Sequence, residues 1–267
     1  MVDAGHRRGA SGVVWSADGL IVTAAHKIVR EEGIQVAING GEPLAAELVG
    51  HDPSTDVAVL RTSGQSGLSA ISWGAPASAA VGQLVLALAR PGKTVRAALG
   101  VISTLSADVW TSPGGGRLDR YLETDIGGRA GFSGGLMVGA DGTAIGMSTG
   151  GLVRGASLAV LPGTLGRVVE AILGHGRVTR GWLGVGAYPV ELPAKIGGHG
   201  LVLVHVAPDG PADKAGLFLG DVLVTVGGAK VPDIRALSGA LVADQDVEIA
   251  LLRAGQLETR NVRVGSR

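Results

Sequence analysis

The sequence predicts a mainly β protein, a barrel or sandwich domain followed by a smaller α/β domain. Three observations predict it. Short apolar, β-branched segments recur from residue 9 to about 160 with Gly-rich turns between them, a rhythm typical of all-β folds. Glycine accounts for 46 of 267 residues with no Gly-X-Y period, far above the usual share of about 7%, so tight turns are frequent. The pattern then changes: an amphipathic helix and a basic hinge are followed by strands interspersed with two short helices.

The first strands read as Gly12–Trp15 and Leu20–Ala24, separated by the Asp18-Gly19 turn signal. Gln35–Ile38, Ala45–Gly50 and Val57–Arg61 follow, the last after the turn Asp52-Pro-Ser-Thr55. Further strands are expected at Gln83–Ala89, Val95–Leu105, Tyr121–Thr124, Leu136–Val138, Thr143–Ser148 and Ser157–Val160, with Ser112-Pro-Gly-Gly-Gly116 as a flexible solvent loop. A helix over Thr164–Leu173 places Leu165, Val168, Val169, Ile172 and Leu173 on one face, with Thr164 as its cap and Gly174-His-Gly176 as its stop. After the hinge at Arg177–Arg180, strands read at Leu201–Val206, Val222–Val226, Val247–Leu251 and Asn261–Val264. Helices are expected at Pro211–Ala215 and Asp233–Leu241, where Pro211 suits a first turn and Asp233 an N-cap.

Composition narrows the function classes. Formal net charge is zero, so no long-range field favours nucleic acid or an acidic membrane as partner. The absence of cysteine excludes disulfides, thiolate nucleophiles and Cys-ligated zinc. No H-E-x-x-H, P-loop or dinucleotide fingerprint occurs, so neither metal nor cofactor is expected. The first eight residues lack the apolar stretch of a signal peptide, and the uncharged run Thr62–Ala89 carries too much Ser, Gly, Gln and Pro for a membrane span.

Chemistry concentrates in Gly131-Phe-Ser-Gly-Gly135. A serine hydroxyl is a poor nucleophile unless a base takes its proton, an acid orients the base, and donors meet the oxyanion that forms. Glycines permit the sharp turn that aims two main-chain N–H groups at one point, and Gly131 and Ser133 are the natural donors. His26 ends the apolar run Gly19–Ala25, a rigid setting for a base. His6, His175 and His199 fall in a basic terminus and Gly-rich loops. His205 alternates within a strand, and His51 beside Asp52-Pro53 is the one serious rival. Asp56, Asp52 and Asp125 are candidate acids, although Asp52 before Pro53 suits a turn cap.

These motifs together resemble the HtrA (Deg) family of serine proteases. The likeness runs through Ser11-Gly-Val-Val-Trp15, Thr23–His26, Asp52–Arg61, Val81–Ala87, Glu123-Thr-Asp125 and the Ser133 loop to Arg180-Gly-Trp-Leu-Gly-Val185 and Gly220-Asp-Val-Leu223. It implies a chymotrypsin-like double β-barrel over residues 1–174, a linker at 175–180 and a PDZ domain over 181–267. By motif, His26 is the base, Asp56 its orienter and Ser133 the nucleophile, with Gly131 and Ser133 as the oxyanion hole. Thr149, Gly150 and Gly151 are implied to lie on the strand that pairs with substrate backbone. Trp182, Leu183, Gly184 and Val185 match the loop that captures a peptide C-terminus, and Leu237 and Leu241 either line its side-chain pocket or pack the small core.

The resemblance further implies cleavage of unfolded or misfolded polypeptides, with aliphatic residues preferred before the cut, and an extracytoplasmic location. It also implies a homotrimer formed through an N-terminal segment not found in these residues. Departures from the family pattern are specific. Phe132 stands where Asn is usual, and is expected to anchor the loop or narrow the substrate pocket. Arg129-Ala130 replaces Asn-Pro and restores backbone freedom. With 25 residues before His26, the first strand of the barrel is expected to be missing.

Overall fold

The computed structural model describes residues 1–5, 9–63, 67–74 and 79–267. They divide into two compact units, Met1–Val178 and Thr179–Arg267.

The first unit opens with strands β1 (Val2–Asp3), β2 (Gly12–Val14), β3 (Leu20–Ala24), β4 (Ile34–Val36), β5 (Leu44–Asp52) and β6 (Val57–Thr62). They pair in the order β1-β4-β5-β6-β3-β2, and a reciprocal backbone pair between Val2 and Ala10, 2.8 Å each way, brings the two ends of the sheet together. The expected loss of a strand is therefore corrected. Val2–Asp3 supplies the sixth strand, too short to show a period in the sequence.

A second, closed barrel is built from β7 (Leu84–Ala89), β8 (Arg96–Leu105), β11 (Leu122–Thr124), β12 (Leu136–Gly139), β13 (Ala144–Thr149) and β14 (Ser157–Val160). Between β8 and β11 lies a small hairpin, β9 (Trp110–Thr111) and β10 (Arg117–Leu118).

Period-2 alternation explains how strands buried on both faces hold two barrels together. In β3, Ile21 points into the first barrel while Leu20 and Val22 join a shared layer. In β6, Leu60 and the pair Val57 and Val59 divide the same way. On the other side, Ile145 and Ala159 fill the second barrel, whereas Met147, Leu158 and Val160 reach the shared layer. Helix α1 (Pro162–His175) closes that layer with Leu165, Val168, Val169 and Ile172, all at most 1% exposed.

Two local expectations change. Thr164 does not cap α1: Leu161 holds that position, Pro162 begins the helix, and the buried Thr164 hydroxyl accepts from Asp119 N at 2.9 Å. Ser112–Gly116 is not a free loop but the docked turn of the β9–β10 hairpin. Ser112 Oγ donates to Ser54 O at 2.6 Å and accepts from Gly116 N at 3.0 Å, and Ser112 is 1% exposed. The stop at Gly176 holds, with a left-handed φ of 71°.

In the second unit, β15 (Gly181–Trp182) pairs with β22 (Gly265–Ser266). The main sheet runs β16 (Val185–Glu191), β17 (His199–Val206), β18 (Val222–Val226), β20 (Asp246–Arg253), β21 (Gln256–Arg263), with β19 (Ala229–Lys230) also on β18. Helices α2 (Pro211–Lys214) and α3 (Ile234–Ala240) accompany it, and Asp233 caps α3 by accepting from Ala236 N at 2.8 Å. Leu183, Leu201, Leu203, Leu223, Ile249 and Leu251 form a core separate from those of the first unit.

Candidate active site

His26 and Asp56 are in direct contact, and the Gly150-Gly151 dipeptide runs beside both this pair and Ser133, each of the three residues being held by a different element. His26 lies in a single turn of 3₁₀ helix, Ala25–Lys27, directly after β3. Its ring Nδ1 is 2.8 Å from Asp56 Oδ2 and 3.0 Å from Oδ1, and its backbone N–H donates to Oδ1 at 2.8 Å. The imidazole side chain is 32% exposed and the carboxylate 3%, so the acid is withdrawn from water while the base faces it.

Asp56 has φ 57°, a left-handed conformation that a non-glycine residue adopts at a cost of about 1–2 kcal/mol. Its neighbours hold it there. Ala25 N donates to its carbonyl at 3.1 Å, and the Thr149 hydroxyl donates to Oδ2. Asp52 is instead the turn cap, accepting from Ser54 N, Ser54 Oγ and Thr55 Oγ1. Asp125 is spent on Val101 N at 2.7 Å. His51 sits within β5 opposite Ala58, and His6 lies outside the described residues.

Ser133 follows a tight turn in which Phe132 N donates to Arg129 O at 3.2 Å. Gly131 occupies the third turn position with φ 86°, the conformation that a type II turn reserves for glycine. Its α-carbon also lies against Pro91, where a Cβ would fall 2.7 Å from Cγ. With Phe132 N used inside the turn, the amides of Gly131 and Ser133 have no acceptor among the described residues, so both donors stay available to a ligand.

Ser11 staples this loop to the first barrel. Its hydroxyl donates to Gly131 O and accepts from Arg90 N, both at 2.8 Å, its amide donates to Ser133 O at 3.3 Å, and its carbonyl accepts from Thr23 Oγ1 at 2.7 Å. Phe132 turns the other way, into the second-barrel core, and is 8% exposed. Of the two roles expected for it, this placement supports the loop anchor, and its remaining surface lines an open groove with Arg96, Ala97, Arg129 and Ala130.

The dipeptide Gly150-Gly151 connects the parts. Gly150 N–H lies 3.4 Å from Ser133 Oγ, while Gly151 passes so close to the His26 ring that an added Cβ would overlap Nδ1 and stand 2.7 Å from Asp56 Oδ2. Thr149 ends β13, and Gly150 and Gly151 lie beyond it, so only the first of the three is on a strand. Sequence reasoning missed the Thr149 hydroxyl as an Asp56 partner and Ser11 as the staple. The signal was a short polar residue in each motif, with nothing to indicate its direction. Beside His26, burial holds the Lys27 ammonium below the usual lysine range, with the Asp56 charge opposing that shift.

Residues 10–147 match the trypsin-like peptidase domain family, and residues 181–264 match the PDZ domain family. The chain belongs to the HtrA family of serine proteases. It is 35% identical to the probable periplasmic serine endoprotease DegP-like of Halomonas elongata, over 96% of this chain and 56% of the relative. It is 32% identical to Protease Do-like 1, chloroplastic, of Arabidopsis thaliana, over 94% and 62%. The chain thus spans a little over half the length of the Halomonas relative. Among solved structures, it is similar to the HtrA-type protease AlgW with decapeptide (TM-score 0.80, 31% identity, 97% of this chain and 82% of that one). It also resembles a serine endoprotease from Yersinia pestis (TM-score 0.77, 26% identity, 100% and 93%).

Trp182–Val185, the segment that the resemblance likens to a carboxylate-binding loop, opens the PDZ match. Trp182 belongs to β15, its ring packed against Gly184 and Gly265, and Leu183 is 2% exposed. The carbonyls of Leu183 and Gly184 accept from Ala212 N and Ala207 N, whereas their N–H groups have no acceptor among the described residues. Val185 begins β16, opposite Val206. Leu237 is 4% exposed and belongs to the core, while Leu241 lies one residue past α3, half-buried against it. No helix among the described residues is long and apolar enough to cross a membrane.

Proposed function

We propose that this HtrA-family chain is a serine endopeptidase that cuts unfolded or misfolded polypeptides, and that its PDZ unit binds peptide C-termini. The observation that carries this reading is the chain of contacts Thr149–Asp56–His26 beside a serine whose loop leaves two N–H groups free. In this mechanism His26 Nε2 takes the Ser133 proton as Oγ attacks a peptide carbonyl. Asp56 keeps the Nδ1 proton in place and stabilises the imidazolium that results. The Gly131 and Ser133 amides receive the oxyanion, each such donor being worth about 2.7–4 kcal/mol. His26 then protonates the leaving amine, and water, activated the same way, releases the acyl group.

Aliphatic preference before the cut, an extracytoplasmic location and trimeric assembly belong to this reading through the family. The periplasmic naming of the Halomonas relative supports the location. Capture of a terminal carboxylate by the Leu183 and Gly184 amides, with the peptide added as a strand, is the corresponding role of the PDZ unit.

Incubation of the purified chain with unfolded casein, followed by mass spectrometry, tests the proposal. Cleavage by the wild type and none by Ser133→Ala is the expected result, with the cut sites reporting the pocket. An alternative is a peptide-binding scaffold with an idle protease domain, motivated by Phe132 before the nucleophile. It predicts peptide binding without cleavage and no labelling of Ser133 by a fluorophosphonate. Hydrolysis of small esters alone would spare peptides altogether.

A further inference from the structure

We infer that Ser11 and Thr23 are positioning residues that hold the Gly131 and Ser133 amides in place relative to His26. The inference rests on the endopeptidase reading above, in which those two amides receive the oxyanion. Ser11 is 2% exposed and Thr23 0%, so both hydroxyls must find their partners inside the protein. Thr23 lies on β3, three residues before His26, and its hydroxyl donates to Ser11 O at 2.7 Å. Ser11 passes the constraint on. Its hydroxyl donates to Gly131 O at 2.8 Å and its amide to Ser133 O at 3.3 Å. One residue thus grips, through their carbonyls, both residues whose amides have no acceptor among the described residues. Gly134 brings the loop onto the same pair: a Cβ there would fall 2.1 Å from Ser11 O and 2.6 Å from Thr23 Oγ1.

A peptide group is planar, so holding one end of it orients the other. The peptide from Gly131 to Phe132 is held at its C=O by the Ser11 hydroxyl and at its N–H by Arg129 O, 3.2 Å away. The next, from Phe132 to Ser133, is held at its C=O by Gly135 N at 2.9 Å, which leaves only the Ser133 amide open. The third, from Ser133 to Gly134, is held at its C=O by Ser11 N and at its N–H by Ser148 O at 2.8 Å. Ser11 therefore supplies a tether on either side of the Ser133 amide, and the Gly131 amide joins a tethered peptide through a single α-carbon. Such tethers matter in a loop where Arg129-Ala130 has more backbone freedom than the Asn-Pro of the family pattern. Because Thr23 and His26 share one short segment, the same contacts set the spacing between the base and the loop that carries the nucleophile. Donors fixed before the reaction need no reordering as charge develops.

Ser11→Ala, Thr23→Val and Thr23→Ser, each shown to be folded by thermal melting, are compared with the wild type on one internally quenched peptide. Ser11→Ala is expected to lower kcat about 10²-fold and Thr23→Val about tenfold, with KM unchanged. Thr23→Ser keeps the hydroxyl and should recover most of the loss. A peptide aldehyde with the same acyl residues adds a readout that lost stability does not move. Ser133 Oγ adds to its carbonyl carbon, the serine proton passes to His26, and the carbonyl oxygen becomes the oxyanion that the two amides receive. Its inhibition constant should rise by about the same factor as kcat falls. Folded variants with kcat and aldehyde affinity at wild-type levels would overturn the inference. So would a fall in kcat with aldehyde affinity unchanged, which would move the defect away from the oxyanion donors. Should Ser11→Ala fail to fold, the two Thr23 variants decide alone. If the wild type neither cut the peptide nor reacted with a fluorophosphonate at Ser133, the endopeptidase reading would fall and the inference with it.

Discussion

At the scale of single residues, the site depends on how tightly the acid is held. Asp56→Asn leaves the shape but removes one acceptor from the carboxylate that faces His26 Nδ1, so it favours the wrong tautomer. A fall in kcat of about 10⁴-fold is expected in peptide assays, with thermal stability little changed. Thr149→Val keeps the volume but withdraws the hydroxyl that fixes Asp56 Oδ2. A roughly tenfold loss in kcat with KM unchanged is expected, and Thr149→Ser should restore it. Restoration by serine separates hydrogen bonding from packing; failure of that rescue would assign Thr149 to the core instead. Gly151→Ala directs a methyl group at the His26 ring and the Asp56 carboxylate. Displacement of the imidazole by about 1 Å should cost about 10²-fold in kcat/KM, while urea unfolding stays near wild type. The residue types and spacing of His26, Asp56 and Ser133 were legible because each sits in a recognisable motif. The left-handed φ of Asp56 and the direction of the Thr149 hydroxyl were not, because both are set by residues 30 to 93 positions away.

At the scale of elements, strands with apolar runs were read closely: Leu20–Ala24, Ser157–Val160 and Val222–Val226 agree end to end. Two-residue strands such as Val2–Asp3 and Trp110–Thr111 were invisible, since alternation needs about four residues to register. The helix start was misplaced for a related reason. Thr164 looks like a cap by type, but tertiary structure uses its hydroxyl for Asp119. The docked Ser112 turn is a testable consequence. Ser112→Ala leaves Ser54 O and Gly116 N without their buried partner, and a loss of about 1–3 kcal/mol is expected in denaturant unfolding. In the PDZ unit, burial works to raise the Asp221 carboxyl pKa, but hydrogen bonds from Arg253 and Phe218 N and the Arg253 charge outweigh it and hold the group below its usual value. A depressed folded pKa contributes stability that is present above the unfolded value near 4 and is lost as pH falls through the folded one. Protection factors of β18 and β20 amides, corrected for the intrinsic exchange rate at each pH, should therefore fall below about pH 4. Asp221→Asn should reduce that pH dependence and weaken the unit at pH 7, because Arg253 loses its 2.7 Å partner.

At the scale of the whole molecule, the arrangement of cores bears on the division of labour. Three apolar clusters fill the two barrels and the layer they share with α1, all within Met1–Val178. The fourth lies wholly within Thr179–Arg267. The contacts described above that hold Asp56 and the Ser133 loop lie in the first unit: Thr149 on β13, Ser11 before β2, and Pro91 between β7 and β8. Independent burial of this kind predicts that a chain ending at Val178 folds and keeps its site geometry. It should show cooperative thermal unfolding and label with a fluorophosphonate at a rate within about threefold of the full chain, a difference below about 1 kcal/mol in barrier. Binding of an apolar C-terminal peptide, measured by fluorescence anisotropy, should disappear in the same truncation. If labelling vanished while the truncated chain stayed folded, the second unit would be required to set the Gly131–Ser133 loop, and the PDZ role would change from tether to activator. If instead binding persisted without residues 179–267, the Leu183 and Gly184 amides would not be the carboxylate site.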